Sequence, residues 1–356
     1  MGSKIIVISD DDSGIKDQDL REQALHVIFS GPAKLSDFCA FKEQHFQIDR
    51  KSLISGSTIN FSLFKQKGME FSTLVNANKS TAVVDEELLK SIVGDTDCEI
   101  LVKRADMPLY FEYLKSTFDS SGLTKDERLQ RQAIIIKENS KKVMKELFDN
   151  PRSGEKIKEL KAEVTNILEA LLEKRDLIHT LLTLMQHDSY IYTHSVNVGV
   201  FSIGLGDFIG LKREKIENVG LGAMLHDIGM TAIPLEIWQK EGKLDEYQYK
   251  RLQEHVMEGE KIIQSNPEIP KEAHWAILQH HEKLSGEGYP NHLRGEDITI
   301  FGKITAIADC YDALTSSRPF REAYNAFEAL KLIREEKVNY DLNLLTAFIK
   351  MLGKIR

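Results

Sequence analysis

Imidazole and carboxylate side chains recur between residues 226 and 312 in a pattern that could hold metal ions. The set comprises His226, Asp227, His255, His280, His281 and Asp309. Nitrogen and oxygen ligands without a thiolate suit iron, manganese, zinc or nickel, and affinity order alone does not choose between them. Two such ions close together can generate hydroxide at neutral pH and clamp a phosphodiester for in-line displacement. The pattern therefore predicts metal-dependent hydrolysis of a phosphate ester.

The two doublets of adjacent residues in this set, His226-Asp227 and His280-His281, predict different ligand geometries. Neighbouring residues on a helix diverge by about 100°, so Asp227 could bridge two ions while His226 binds one of them. At a helix end the chain can relax, which would let His280 and His281 aim at the same ion. A single buried histidine is more often a hydrogen-bonded core residue, but that interpretation does not account for the whole set.

Several helices must bring these ligands together. From about residue 187 onward the apolar spacing predicts helices almost throughout, including stretches at 244–263, 273–281 and 304–314. His255 falls in the middle of the first stretch, and Asp309 lies in the last. A carboxylate in such an apolar helix is costly to bury unless it is paired or ligated. His194 would join from another helix, as in metal sites built inside helical bundles.

The chain before residue 187 predicts two further regions. Residues 1–120 are interpreted as a small α/β regulatory or adaptor domain, with strands at 5–8, 99–103 and 109–114. Residues 121–186 are interpreted as a helical linker with a turn at 150–154. After that turn, apolar residues follow a heptad, which is typical either of a dimerising or signal-transmitting helix or of a helix packed on its own domain. Both alternatives stay open.

Composition sets outer bounds on function. The 356 residues suffice for about two domains, and the fold class is predicted as α+β overall. The net charge of −8 argues against tight nonspecific binding to nucleic acid. Three scattered cysteines indicate no disulfide framework, and no apolar run predicts a membrane span. The first residues do not resemble a secretory signal, so a cytoplasmic location is predicted.

The motifs in residues 187–345 resemble, in order and spacing, those of the HD-GYP family. These are HD-superfamily phosphohydrolases that act on cyclic di-GMP. The matching segments are His-Ser at 194–195, His-Asp-Ile-Gly at 226–229, His255, His-His-Glu-Lys at 280–283, Gly-Tyr-Pro at 288–290 and Ile-Ala-Asp-Cys-Tyr-Asp-Ala-Leu-Thr-Ser at 307–316. The resemblance implies that residues 187–356 form an all-α, HD-type helical bundle with phosphohydrolase activity.

The resemblance also implies a role for each ligand. One ion would be held by His194, His226 and Asp309, and a second by His255, His280 and His281. Asp227 would bridge the two ions and help to position the nucleophilic hydroxide. Some family members hold a third ion through a glutamate one turn before the first histidine, where this chain has Tyr190. Two divalent ions are therefore expected, with iron as the first choice and manganese, zinc or nickel as alternatives.

Substrate and partner contacts are implied by two other segments. Gly288, Tyr289 and Pro290 would form a lip of the active site and a surface for diguanylate cyclase (GGDEF) proteins. Tyr289 would also contact substrate. Arg318 and Arg321 lie three residues apart and could fork onto phosphate groups.

One residue departs from the family pattern. The family usually continues His-Asp-Ile-Gly with a lysine that contacts phosphate, and this chain has Met230. A thioether cannot neutralise phosphate charge, so substrate grip and transition-state stabilisation should weaken. The expected function is a phosphodiesterase that opens cyclic di-GMP to pGpG or GMP by metal-activated hydroxide. The alternatives are a weak or silent module that binds cyclic di-GMP or partner proteins as a scaffold, and a hydrolase for another nucleotide such as a dNTP or ppGpp.

Overall fold

The computed structural model divides the chain into two compact units, residues 1–135 and 136–356. It describes residues 6–8, 26–28, 44–68, 70–77, 81–93, 98–118, 122–174, 176–184, 191–238, 240, 242–316 and 323–353. None of the helices in these segments combines the length and apolar character that a membrane crossing requires.

A six-stranded sheet dominates the described part of the first unit. Its strands stand in the order β1-β2-β6-β5-β8-β3, and every pair is antiparallel. The strands, with the short pair β4 and β7, are β1 (Ile6–Ile8), β2 (His26–Ile28), β3 (His45–Ile48), β4 (Thr58–Ile59), β5 (Leu63–Lys67), β6 (Glu70–Val75), β7 (Ala82–Val83) and β8 (Glu99–Lys103). The predicted strands at 5–8 and 99–103 are confirmed by β1 and β8. The α/β description is wrong in one respect, because a sheet of that class would be parallel.

Two helices follow strands in this unit, α1 (Glu86–Val93) and α2 (Met107–Phe118). The strand predicted at 109–114 is wrong, because these residues lie inside α2. Met107, Tyr110, Tyr113, Leu114 and Thr117 are the buried residues of that helix. Their spacing of three, three, one and three is the helical one, and it overrides the strand preference of the aromatic residues. Pro108 is tolerated because it lies in the first turn.

Long helices begin the second unit. α3 (Lys125–Asp149) starts in the first unit and α4 (Gly154–Glu173) follows the predicted turn, which the structure confirms. The Ser153 hydroxyl accepts a hydrogen bond from the Lys156 amide and so caps α4. The heptad residues of α4 are buried inside the unit: Ile157, Leu160, Val164, Ile167 and Leu171. This burial favours packing on the chain's own domain over the alternative of a dimer seam.

The rest of the second unit is a helical bundle. Its helices are α5 (Asp176–Leu184), α6 (Ile191–Phe208), α7 (Arg213–Leu225), α8 (Leu235–Trp238), α9 (Glu246–Gln253), α10 (His255–Ile263), α11 (Lys271–Gln279), α12 (Ile300–Thr315), α13 (Ala326–Glu335) and α14 (Leu342–Gly353). α6 lies at the centre, and fourteen of its eighteen residues are buried, which is why its sequence is apolar on all sides.

The helix predicted at 244–263 is two helices, so the expectation that His255 lies mid-helix is wrong. α9 ends at Gln253, and His255 is the first residue of α10. The Leu252 carbonyl accepts hydrogen bonds from the Glu254 amide and from the His255 ring Nδ1, at 2.7 Å for the ring. These two bonds replace the regular continuation of the helix and turn the imidazole inward.

Candidate metal centre

Helix ends supply most of the candidate ligands. His226 and Asp227 follow the last residue of α7, and His280 and His281 follow the last residue of α11. His255 begins α10. Only His194, on α6, and Asp309, on α12, lie within helices. The sequence-derived ligands thus converge from five different helices or their ends.

The structure brings all seven predicted ligands together in two groups. One group holds His194, His226 and Asp309, and the other holds Asp227, His255, His280 and His281. Within each group the ligand atoms lie within 4.8 Å of one another. Two ligands of one ion lie at most about 4.4 Å apart, because each metal–ligand bond is about 2.0–2.2 Å long. Each group is therefore close to the spacing of a metal site and would contract by a few tenths of an ångström around an ion.

The carboxylate of Asp227 lies between the two groups. Its Oδ2 is 3.4 Å from His226 Nε2 and 3.8 Å from His194 Nε2. Its Oδ1 is 3.3 Å from His255 Nε2 and 3.9 Å from His280 Nε2. Each oxygen therefore faces a different group, which is the arrangement of a carboxylate able to bridge two ions.

Three imidazoles are oriented by backbone carbonyls three residues earlier. His226 Nδ1 is 2.7 Å from the Ala223 oxygen, and His280 Nδ1 is 2.8 Å from the Ile277 oxygen. His255 makes the corresponding contact with Leu252, described above. Carbonyls in the last turn of a helix lack a regular intrahelical partner, so they are free to accept a ring N–H. In each ring this leaves the Nε2 lone pair directed at the centre.

A buried ring nitrogen that makes no hydrogen bond tests whether ions fit this centre. His226 Nε2 is buried and makes no hydrogen bond within the described part of the chain. Its nearest acceptor, Asp227 Oδ2 at 3.4 Å, leaves its hydrogen-bonding capacity unsatisfied, which is costly for a buried polar atom. A metal ion would satisfy this nitrogen, and the all-nitrogen and oxygen donor set suits iron, manganese, zinc or nickel. The residues present therefore fit divalent metal ions.

The electrostatics of the two groups differ. Burial, reinforced by the neighbouring imidazoles, holds the pKa of His280 well below its usual value, and burial lowers the pKa of His281 to about 4. These rings are neutral at pH 7, as metal ligands must be. Burial also opposes a charge on His194, but its contacts with Asp309 and Asp312 prevail and raise its pKa to about 10. An ion entering the first group therefore has to displace a proton.

Gly229 lets the His226-Asp227 turn approach α10. A Cβ added to Gly229 would lie 1.9 Å from the carbonyl oxygen of His255 and 2.4 Å from the Gly259 nitrogen. Only a residue without a side chain fits this backbone contact. The glycine of the His-Asp-Ile-Gly motif thus determines how closely Asp227 and His255 approach each other.

The loop that carries Tyr289 lies directly against the second group. The Tyr289 ring stacks on His281, with centroids 4.6 Å apart and 28° between the planes. A Cβ on Gly288 would lie 2.3 Å from the Lys283 nitrogen, so this residue too must be glycine. The predicted lip of the site therefore covers one face of a candidate ligand. Arg318 and Arg321, together with Tyr190, lie outside the described residues.

Two carboxylates that lie near the centre were not identified by the sequence analysis. Buried Glu282 accepts hydrogen bonds from the Asn291 amide at 2.7 Å and the Leu293 amide at 2.9 Å, so it braces the loop after the second doublet. Asp312, 2% exposed, lies 2.7 Å from His194 Nδ1. Its spacing of three residues from Asp309 places both on one helix face, and that spacing was the available signal.

Met230 is nearly buried in a hydrophobic cluster. It is 9% exposed and forms an apolar cluster with Ile233 and Ile237. Phe148 of α3 and Ile191 of α6 pack against this cluster. The side chain at position 230 is therefore part of the hydrophobic packing of this unit.

Part of the second unit matches a known family. Residues 184–344 match the family described as HD domain. The solved structure of an HDG"Y"P protein from Bdellovibrio bacteriovorus superposes with a TM-score of 0.63 at 20% identity, covering 87% of this chain and 99% of that one. The His-Asp and Gly-Tyr-Pro motifs lie within the matched region. This region is an HD domain.

Curated relatives of the chain are named as cyclic dinucleotide phosphodiesterases. A cyclic di-GMP phosphodiesterase of Pseudomonas aeruginosa is 31% identical over 225 residues, which are 63% of this chain and 54% of that protein. A 3'3'-cGAMP-specific phosphodiesterase of Vibrio cholerae is 38% identical over 144 residues, 40% of this chain and 27% of that protein. The chain thus spans about half and about a quarter of these two relatives. A cyclic di-GMP phosphodiesterase of Thermotoga maritima is 25% identical over 352 residues, 95% of this chain and 89% of that protein.

Proposed function

We propose that this HD domain is of the HD-GYP type and is a binuclear metal-dependent phosphodiesterase that hydrolyses cyclic di-GMP to pGpG or onward to GMP. The observation that carries the proposal is the Asp227 carboxylate, whose two oxygens face two separate groups of ligand atoms. The names of the Pseudomonas and Thermotoga relatives support the choice of substrate. The Vibrio relatives make 3'3'-cGAMP the first competing substrate to test.

The candidate site residues would have different roles in this function. His194, His226 and Asp309 would hold one ion and His255, His280 and His281 the other, with Asp227 shared. Bound there, two ions, with iron as the first choice, would supply Lewis-acid activation of water and charge neutralisation at the phosphodiester. Because three rings are already oriented by carbonyls, little reorganisation is needed on loading. Tyr289, at the rim, and Arg318 and Arg321 would contact the substrate.

The second candidate function is a weak or silent module that binds cyclic di-GMP or partners as a signalling scaffold. Met230 favours it, since its thioether lies in an apolar cluster and supplies no positive charge for phosphate. In this case the loop of Gly288, Tyr289 and Pro290 would be the docking surface for a diguanylate cyclase of the GGDEF type. Residues 1–120 would be the regulatory or adaptor domain, 121–186 the helical linker and 187–356 the phosphohydrolase-like domain, in a cytoplasmic signalling protein.

Turnover by the full-length chain tests the enzyme proposal. The protein is loaded separately with Fe²⁺, Mn²⁺, Zn²⁺ or Ni²⁺, its metal content is measured, and cyclic di-GMP and 3'3'-cGAMP are offered in parallel. Products are separated by chromatography. We expect pGpG from cyclic di-GMP and at least about 100-fold less product from Asp227→Ala. Asp207→Ala, which removes a carboxylate at the other end of α6, is the matched control and should behave as wild type.

Binding measurements separate the second candidate from the first. A protein that carries two ions and binds cyclic di-GMP in calorimetry, but forms no more product than Asp227→Ala, is the scaffold. A protein that neither turns over nor binds the nucleotide or a GGDEF domain contradicts both candidates.

A further inference from the structure

His194 is held differently from the other candidate ligands. The rings of His226, His255 and His280 donate from Nδ1 to a carbonyl three residues earlier, because each lies at a helix end. His194 is the fourth residue of α6. The carbonyls around it are engaged in the regular hydrogen bonds of that helix. Its Nδ1 therefore needs an acceptor from another element.

Asp312 of α12 provides that acceptor. Its Oδ2 lies 2.7 Å from His194 Nδ1, on the side of the ring away from the centre. His194 Nε2, on the other side, lies 3.1 Å from Asp309 Oδ1, within the first group of ligand atoms. A neutral imidazole that donates from Nδ1 has its only lone pair on Nε2. The contact with Asp312 thus selects both the tautomer and the ring direction that metal binding requires.

Other side chains hold the Asp312 carboxylate in turn. The Asn197 amide donates to Oδ1 at 2.8 Å, and the Ser316 hydroxyl donates to Oδ2 at 3.4 Å. Asp312 is 2% exposed, so water does not compete strongly for these bonds. A buried carboxylate with three hydrogen-bond donors has little freedom to rotate.

We propose that Asp312 is a positioning residue that directs His194 to the first ion and so makes the loading of that ion separable from the loading of the second. The inference rests on the proposed function, since it concerns the same two ions. The second group has no such dependence, because two of its rings, His255 and His280, are oriented by backbone carbonyls that no side-chain substitution removes. Loss of an outer carboxylate of this kind typically lowers metal affinity by about 10–100-fold.

Manganese binding by the full-length chain tests this proposal without relying on turnover. Mn²⁺ is titrated into metal-free wild type, Asp312→Ala, Asp312→Asn and Asn197→Ala, with bound metal and the electron paramagnetic resonance spectrum followed together. Two neighbouring Mn²⁺ ions give an exchange-coupled spectrum, whereas one ion gives an isolated six-line spectrum. Ser202→Ala, which removes a buried hydroxyl elsewhere on α6, is the control for packing. Circular dichroism checks that each variant is folded.

We expect wild type and Ser202→Ala to bind two ions with a coupled spectrum. Asp312→Ala should bind one ion at wild-type affinity and the other about 10–100-fold more weakly, with the six-line spectrum at low manganese and coupling restored at high manganese. Asp312→Asn, whose amide oxygen can still accept from His194, and Asn197→Ala should lie between. Equal affinity of both ions for Asp312→Ala and wild type would overturn the proposal. Should Asp312→Ala fail to fold, wild-type affinities in Asp312→Asn and Asn197→Ala together would also overturn it. A wild type that binds fewer than two ions would instead refute the proposed binuclear centre itself.

Discussion

A single methyl group added at Gly229 should move Asp227 away from His255 in the candidate metal centre. An added Cβ would lie 1.9 Å from the His255 carbonyl oxygen, and ordinary van der Waals contact begins at 3.4 Å. The backbone at Gly229 and at the start of α10 would thus have to move apart by about 1.5 Å. Asp227 Oδ1 and His255 Nε2 are now 3.3 Å apart, so this displacement is large relative to the distance that a shared ion must span.

This displacement should lower both the stability and the metal binding of the Gly229→Ala variant. Overpacking of a buried contact costs about 1–3 kcal/mol, and the upper end is expected because the opposing atoms are backbone. A misplacement of about 1 Å can cost about 100-fold in turnover. Both tryptophans, Trp238 and Trp275, lie in residues 136–356, so their fluorescence in a denaturant titration reports on this unit alone. Metal stoichiometry is measured on the same samples.

Gly154→Ala is the matched control. Gly154 is the first residue of α4, and the nearest atom to an added Cβ is the Asn266 side-chain nitrogen at 3.8 Å. This substitution should leave metal binding unchanged and stabilise the unit by up to about 1 kcal/mol through the unfolded state. If Gly229→Ala retains the wild-type midpoint and binds both ions, the close approach of the motif to α10 does not position the ligands, and the reasoning is refuted.

Three further predictions concern the surroundings of the ligands. Met230→Lys should destabilise the unit by about 1–3 kcal/mol in the same fluorescence assay, because a charge enters an apolar cluster. The same substitution should raise turnover of cyclic di-GMP at least about tenfold, because the lysine adds a positive charge near the phosphate. Met230→Leu should change neither stability nor turnover. Glu282→Gln should raise the KM more than it lowers kcat and speed amide hydrogen exchange at Asn291, since the loop loses a charged acceptor. In the metal-free protein, the raised pKa of His194 contributes stability that is fully present below pH 6.5 and is lost as the pH rises toward about 10. The denaturation midpoint should therefore fall over this pH range. It should fall less in Asp312→Asn, because this variant lacks one of the carboxylates that raise the pKa.

Much of the second unit could be predicted because its chemistry is local. Each doublet sits where an apolar helical pattern stops, and the buried carboxylate of Asp309 in α12 is recognisable from its neighbours alone. The strand prediction at 109–114 failed because aromatic residues suit both strands and helices, and their burial on one face of α2 depends on the rest of the unit. The break before His255 depends on a bond between its ring and the Leu252 carbonyl, which a periodicity of apolar residues does not contain.

The supporting carboxylates could not be predicted because their partners are distant in sequence. Asp312 is separated by 118 residues from His194 and by 115 from Asn197. An aspartate three residues after a ligand could equally face solvent, and only the packing of α12 against α6 turns it inward. Glu282 similarly acquires its role when the loop returns to place the Asn291 amide at 2.7 Å.

The two candidate functions depend on different atoms near position 230. The Met230 side chain packs with Ile233 and Ile237, while the ligands beside it are positioned by the end of α7 and by the contact of Gly229 with α10. Under the proposed function, metal loading and phosphate neutralisation would therefore depend on different atoms, and the absence of a lysine at position 230 would not disturb the ions. Because two ions would retain most of the positive charge at the phosphodiester, slowed hydrolysis follows more directly from this arrangement than complete silence, which would require a further defect in the contacts to substrate.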